Sequence, residues 1–270
     1  MTAPRFLAIG THHKTGTVWM RRTFRKWSDP AGVPVLRMGR RTPLSELPQS
    51  GPALCVSWQS LFPRAFFDHP EARFLHVIRD PRDVLISGAR YHVSAPLGHE
   101  QWLGRKRDDL GGRSYQEAIA ALQTPQERLL FEMEGKHRQT LREMLDWPYG
   151  HASVVDLRYE DLIEDYDCAL FRGALERLGV AGFPPEEIVA SYWTHSLFGG
   201  IKERESRTSS VKAHIKSGRP AQWRTKLPRS VAEVYAERYG AALITLGYET
   251  STDWVAHCPP DAEVEAALAS

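Results

Sequence analysis

Four short stretches of this sequence gather cations, hydroxyls and glycines in patterns suited to holding phosphate. The first is Gly10-Thr11-His12-His13-Lys14-Thr15-Gly16-Thr17-Val18-Trp19. Its glycines bracket a turn between an apolar run and a helical one, with a lysine and hydroxyls inside. Successive backbone N–H groups in such a turn cradle phosphate oxygens, and the dipole of the following helix adds a favourable field. The order differs from the Gly-x-x-x-x-Gly-Lys-Ser/Thr loop of kinases and ATPases, because Lys14 precedes the second glycine. Read alone, the stretch is equally an ordinary turn with a solvated lysine. The second, Arg79-Asp80-Pro81-Arg82-Asp83-Val84-Leu85-Ile86-Ser87, sets an arginine at a strand end and a serine two turns into the next helix. A guanidinium fork and a hydroxyl can grip a second phosphate. The plainer alternative pairs Arg79 with Asp83. The third (157–162) carries Tyr159, and the fourth (216–224) carries Lys216, Gly218 and Arg219.

The elements around these stretches alternate between strand and helix. Residues 5–9, 53–57, 73–79 and 152–157 are short apolar runs that read as buried strands. Helical spacing of Trp19, Met20, Phe24 and Trp27 predicts a helix over 16–27. Asp80 before Pro81 predicts a helix start, and further helices are expected after 157, over about 124–147 and over about 229–246. On the long helix, Glu127, Glu132, Glu134, Lys136, Arg138 and Arg142 read as a solvated face. This order predicts an α/β fold, a central parallel β-sheet flanked by helices. Ligands of such sheets bind beyond the carboxyl ends of the strands, where the four stretches fall. We expect one domain over 1–270, with a helical insert at about 94–150 and a loose tail from about 259.

Composition bounds the partners. The 270 residues carry 35 Lys+Arg against 33 Asp+Glu, a net charge of +2, so bulk attraction to nucleic acid is not expected. Apolar residues make up 42% and eight tryptophans are spread through the chain, which excludes disorder. No apolar stretch approaches the roughly 20 residues of a membrane span, and four apolar residues near the N-terminus are too few for a secretory signal. Cys55, Cys168 and Cys258 lie far apart and lack metal-ligand spacing, so reduced thiols in a cytoplasmic setting and no metal are expected. Arg105-Lys106-Arg107 before Asp108-Asp109 reads as a self-paired surface loop.

At this point the sequence resembles the sulfotransferases that use 3′-phosphoadenosine 5′-phosphosulfate (PAPS). Lys14-Thr15-Gly16-Thr17-Val18-Trp19 resembles their Lys-Ser-Gly-Thr-Thr-Trp loop, which holds the 5′-phosphosulfate. Arg79 through Ser87 resembles their Arg-Asn/Asp-Pro-Lys/Arg-Asp-x-x-x-Ser element, which holds the 3′-phosphate. Leu157-Arg158-Tyr159-Glu160-Asp161-Leu162 is similar to their Tyr-Glu-Asp-Leu element beside the adenine. Lys216-Ser217-Gly218-Arg219-Pro220-Ala221-Gln222-Trp223-Arg224 is similar to a late Arg-Lys-Gly-x-x-Gly-Asp-Trp-Lys loop that closes over the nucleotide. The four come in the family's order and span about residues 5–245.

The resemblance implies a P-loop-like nucleotide-binding fold and transfer of a sulfuryl group from PAPS to a hydroxyl or amine, leaving adenosine 3′,5′-bisphosphate (PAP). It implies Lys14 as the catalytic cation and Lys14, Thr15, Gly16, Thr17, Trp19, Arg79, Ser87, Tyr159, Lys216 and Gly218 as donor-binding residues. Trp19 would face the adenine, or equally sit in the core. Lys216-Ser217-Gly218 departs from the family's Arg-Lys-Gly, and Arg219 is a candidate for the missing cation. The family's histidine base after the second long strand is replaced by Trp58, which cannot take a proton. His13 is the candidate base, with His12, Glu46, His69 and His92 as others. The acceptor, a small molecule or glycan, and the oligomeric state are not implied. A nucleotide kinase-like phosphotransferase and a non-catalytic PAP-binding protein are the alternative readings.

Overall fold

The apolar runs assemble into one sheet. In a computed structural model that describes residues 3–98, 100–196 and 218–264, the strands are β1 (Phe6–Thr11), β2 (Val35–Arg37), β3 (Ala53–Ser57), β4 (Ala72–Ile78) and β5 (Val154–Arg158). Their order is β2-β3-β1-β4-β5, and every neighbouring pair is parallel. The central α/β parallel sheet is therefore the one expected. β2, a three-residue strand at the edge, was not: Val35-Leu36-Arg37 is too short to show a period. Register places Gly10 of β1 between Ser57 of β3 and His76 of β4.

The helices are α1 (Thr17–Ala31), α2 (Arg64–Phe67), α3 (Pro81–His92), α4 (Tyr115–Ala120), α5 (Pro125–Glu132) and α6 (Arg138–Leu145). After β5 come α7 (Tyr159–Leu162), α8 (Ala169–Leu178), α9 (Pro185–His195), α10 (Trp223–Lys226) and α11 (Arg229–Thr245). Packing divides the chain into two compact units, Met1–Arg79 with Asp146–Arg219, and Asp80–Leu145 with Pro220–Ser270.

The first unit holds the sheet. Alternation along β1, β3 and β4 sends Leu7, Ile9, Leu54, Val56, Leu75 and Val77 into one apolar layer, where α1 lays down Trp19, Met20, Phe24 and Trp27. Burying side chains of this size stabilises by about 1.5–3 kcal/mol each. The opposite face sends Phe6, Ala8, Cys55 and Phe74 against Phe62, Phe66, Phe67 and Trp147. The chain runs from β1 to β3 on one side, then crosses to β4 on the other. The switch point thus lies between β1 and β4, and the segments leaving those two strands meet there.

The second unit is helical. Asp80 caps α3 as expected, accepting from Arg82 N at 2.9 Å. The single long helix expected over 124–147 is instead α5 and α6 joined by a wide π-type turn, Met133–His137, in which Gly135 leaves helical geometry at φ −91°, ψ −115°. A Cβ at Gly135 would collide with the Tyr115 hydroxyl. The turn rotates Glu132 and Lys136 inward, so these two are buried rather than solvated. Glu132 Oε2 accepts from Tyr115 Oη at 2.7 Å and lies 2.7 Å from His92 Nδ1. Near the C-terminus, Arg229 N donates to Pro259 O and Val264 is buried, so the described part of the expected tail is docked.

Candidate active site

The β1–α1 turn is tied by its own hydroxyls. Thr15 Oγ1 accepts from His12 N at 2.8 Å and sits 3.0 Å from His12 O and 3.2 Å from Val77 O, sharing its one proton between them. Thr17 Oγ1 donates to His12 O at 2.8 Å and meets Thr11 Oγ1 at 2.9 Å. Thr15 is fully buried, so its hydroxyl builds the turn, whereas Thr17 is half-buried. Lys14 is held at φ +65°, the left-handed region that non-glycine residues enter only when the surroundings demand it. Gly16 follows at φ +98° as the N-cap of α1, with no side-chain cap. The amides of the first helical turn have no partner within the helix, and Gly16 leaves this backbone bare of side chain. A Cβ at Gly16 would also touch the Tyr159 ring at 3.4 Å.

Arg79, leaving β4, reaches this turn. Its Nη1 donates to Lys14 O at 3.2 Å, and its guanidinium carbon lies 4.4 Å from the centre of the Tyr159 ring. Arg79 and Tyr159 are 4% and 5% exposed. Tyr159 Oη donates to Gly218 O at 3.0 Å, which ties the first described residue of the late loop to the same place. Lys14, Gly16, Arg79, Tyr159 and Gly218 are therefore neighbours at the switch point. Trp19 is 5% exposed and stacks on Tyr192, with ring centres 4.6 Å apart. That is its core placement, and an adenine contact rests on the resemblance alone. Ser87 is half-buried on α3, and Lys216 lies outside the described residues.

Arg82, three residues after Arg79, has a structural task in the second unit. It forks onto Asp80 at 3.0 and 2.7 Å, pairs with Glu249, and lies between the Trp223 and Trp254 rings at 3.8 and 4.6 Å. Asp83 accepts from Trp223 N at 3.1 Å.

A line of hydrogen-bonded polar groups, from half-buried Asp156 to buried His12, ends at the turn. Asp156 Oδ1 on β5 accepts from Trp147 Nε1 at 2.9 Å and lies 2.8 Å from His76 Nδ1. His76 Nε2 lies 2.9 Å from His12 Nε2. His12 and His76 are both fully buried, and the His76 ring stacks on Trp147 at 4.1 Å. Burial pushes the His76 pKa down, against the raising effect of Asp156. His13 is half-buried beside them.

A family model described as the sulfotransferase domain matches residues 49–247. The chain belongs to the sulfotransferase family. The matched span holds Arg79, Ser87, Tyr159 and Gly218, and the Lys14 turn precedes it. The fold of this sulfotransferase is similar to that of mouse sulfotransferase SULT7A1, solved with PAP, at 12% identity and a TM-score of 0.51, covering 90% of this chain and 89% of that one. It is also similar to retinol dehydratase, solved with retinol and PAP, at 14% identity and a TM-score of 0.51, covering 90% and 82%. No curated protein sequence matches significantly.

The remaining candidates of the sulfotransferase scatter. Trp58 packs partly buried against the α1 layer. Glu46 is exposed on a 3-10 turn, His69 packs against the Phe6 ring at 5.5 Å, and His92 sits beside Glu132 in the second unit. Arg107 pairs with Asp109 and Lys106 with Glu117, as a self-paired loop should. Asp156 and His76 were missed by sequence reasoning, although each carries a signal: an ionisable residue with apolar neighbours on both sides within a strand. Among the described residues, no cluster of His, Cys, Asp or Glu is arranged for a metal ion, and no helix is long and apolar enough to cross a membrane.

Proposed function

We propose that the sulfotransferase takes PAPS as its donor and moves the sulfuryl group to a hydroxyl or amine of a small-molecule or glycan acceptor. One observation carries this reading: the Arg79 guanidinium bonds the Lys14 main-chain carbonyl, so residues that carry cations on two separate strand ends meet at one switch point. A nucleotide bearing phosphates on both sides of its ribose needs such a pair. Lys14 and the amides from Gly16 onward hold the 5′-phosphosulfate, and the Thr17 hydroxyl joins them by turning its one proton from His12 O to a phosphate oxygen. Arg79 takes the 3′-phosphate by its fork, and Ser87, Lys216 and Trp19 join the set through the resemblance. As sulfur passes to the acceptor, charge grows on the departing 5′-phosphate oxygen, and the Lys14 ammonium offsets it. Buried polar groups already positioned for that charge need no reorganisation at the moment of transfer.

The three cysteines are buried free thiols, and burial pushes Cys55 up to about 12 and Cys258 up to about 11. Neutral, unreactive thiols suit a reducing cytoplasmic setting.

Thermal-shift titration tests the donor. PAP at a hundred times its dissociation constant should add about 2.7 kcal/mol of stability, and ADP or AMP at the same concentration should add far less. Equal stabilisation by AMP and PAP would remove the 3′-phosphate role of Arg79 and, with it, the reading.

A further inference from the structure

A left-handed residue such as Lys14 keeps its conformation only where its surroundings over-determine it. We propose that His76 and Asp156 are positioning residues for donor binding, a clamp on β4 and β5 that pins the His12 ring and so holds the Lys14 turn in its phosphate-binding shape. This role rests on the PAPS-dependent reading above.

Strand register builds the clamp. His76 of β4 lies opposite Gly10 of β1 on one side and Asp156 of β5 on the other. Its ring is fixed in two ways. Nδ1 lies 2.8 Å from Asp156 Oδ1, and the Trp147 ring stacks on it with centres 4.1 Å apart. Trp147 Nε1 donates to the same carboxylate oxygen at 2.9 Å, which locks the two rings and Asp156 into one unit. A carboxylate only accepts, so His76 carries its proton on Nδ1. Burial pushes the His76 pKa down, which keeps the ring neutral and leaves the lone pair on Nε2. Two ring nitrogens 2.9 Å apart share one proton, so His12 donates to His76 from Nε2. The clamp therefore grips the His12 ring by a hydrogen bond of fixed direction.

His12 is also the hub of the turn. Its N–H donates to Thr15 Oγ1 at 2.8 Å, and its carbonyl accepts from Thr15 N at 3.2 Å. These two bonds enclose Lys14 but close within the turn and would travel with it. The His12 ring ties the same residue to the sheet, on the face opposite α1. Stability alone does not call for a polar clamp there. Phenylalanine at position 76 could stack on Trp147 without burying ring nitrogens, and buried polar groups cost free energy unless each is paired. A binding turn whose shape must exist before its ligand arrives does call for a second layer of fixed hydrogen bonds.

Amide hydrogen exchange of the protein without nucleotide reads the clamp directly. In His76→Phe and Asp156→Ala, the His12 and Thr15 amides should exchange about tenfold faster than in the wild type, while amides of α11 keep their rates. Asp156→Asn retains an oxygen that accepts from both rings, so its turn should stay within about threefold of the wild type. PAP affinity should follow the same order at a temperature where near-ultraviolet circular dichroism shows every variant folded. His76→Phe and Asp156→Ala should bind about tenfold more weakly, and Asp156→Asn within about threefold. Wild-type exchange at His12 and Thr15 in His76→Phe overturns the positioning role, as does wild-type PAP affinity in Asp156→Ala. Exchange in α11 that accelerates by the same factor marks a loss of global stability and also overturns it. Asp156→Asn as weak as Asp156→Ala removes the clamp geometry. Failure of the wild type to bind PAP would instead sink the donor reading, with the exchange rates still deciding the clamp.

Discussion

Two buried histidines, each paired with a carboxylate, occupy the two units, and their surroundings differ. In the helical unit, His92 and Glu132 are both sealed, with 0% and 1% of their side chains exposed. Glu132 Oε2 also accepts from Tyr115, whose phenol burial, and then the Glu132 charge, push far above its usual range. The network closes on itself inside packed helices, and Gly88 leaves room for the carboxylate, which a Cβ there would strike. In the sheet unit, His76 is sealed but Asp156 keeps 28% of its side chain exposed. That line runs through His12 into a turn whose Lys14 is held in the left-handed region. Closed polar networks rigidify a core; the other line ends on a strained, cationic turn, beside the proposed donor site. The same pair of residue types therefore closes on itself in one unit and leads to the cationic turn in the other.

The sharpest way to break this contrast is to remove one group from each region. Lys14→Met should cut PAPS-dependent transfer by about 10³ or more, since it deletes the cation proposed to face the developing charge. Its urea midpoint should stay within experimental error, because Lys14 is half-buried and packs no core. Transfer at the wild-type rate would show the turn to be inert. Glu132→Ala should do the reverse. Breaking a buried pair leaves its partners unsatisfied and costs about 3 kcal/mol or more, read as a lower urea midpoint, while the folded fraction still binds PAP.

A pH series sharpens the dry side of the comparison. His137, in the π-type turn, is fully buried with Nε2 3.0 Å from Tyr235 Oη, and burial pushes its pKa down to about 3. An exposed histidine titrates near 6.5. Between those values the unfolded chain binds a proton that the folded chain does not, so stability rises with pH. It is lost as pH falls from about 6.5 toward 3, at up to ~1.4 kcal/mol per unit. From pH 6.5 to 5 the loss should approach ~2 kcal/mol, and His137→Leu should have a shallower slope than the wild type. Identical slopes would show that the ring is protonated in the folded state.

Much of the sheet unit was legible because a buried parallel strand is a local signal: Ala53–Ser57 is apolar up to its final serine, and the expected and observed strands coincide. The Lys14 and Arg79 stretches were legible for a related reason, as their chemistry is contiguous in sequence. What escaped was set by distance. Glu132 and Lys136 have the spacing of a solvated helical face, and their burial goes with a π-type turn at which Gly135 admits Tyr115, twenty residues earlier. Trp19 fitted either a ligand face or the core, and the choice depends on Tyr192 across the fold. Asp156 and His76 lie eighty positions apart and become partners only through the register of β4 with β5.

The smallest effects separate strain from function within one helix. α1 is flanked by Gly16 at φ +98° as its N-cap and by Gly32 at φ +65° as its C-cap, so both ends place a residue in the left-handed region. A side chain in that region costs roughly 1–2 kcal/mol. Around Gly32 nothing lies within 4 Å of an added Cβ, whereas at Gly16 the Cβ rests on the Tyr159 ring at 3.4 Å, an ordinary contact. Gly16→Ala and Gly32→Ala should therefore lose similar stability, about 1 kcal/mol each, in urea titrations. Only Gly16→Ala adds a methyl group beside the amides proposed to hold phosphate, so only it should weaken PAP binding, by about tenfold or ~1.4 kcal/mol. Equal PAP affinity in the two variants would detach the α1 N-terminus from donor binding and leave the Lys14–Arg79 pairing as a feature of packing alone.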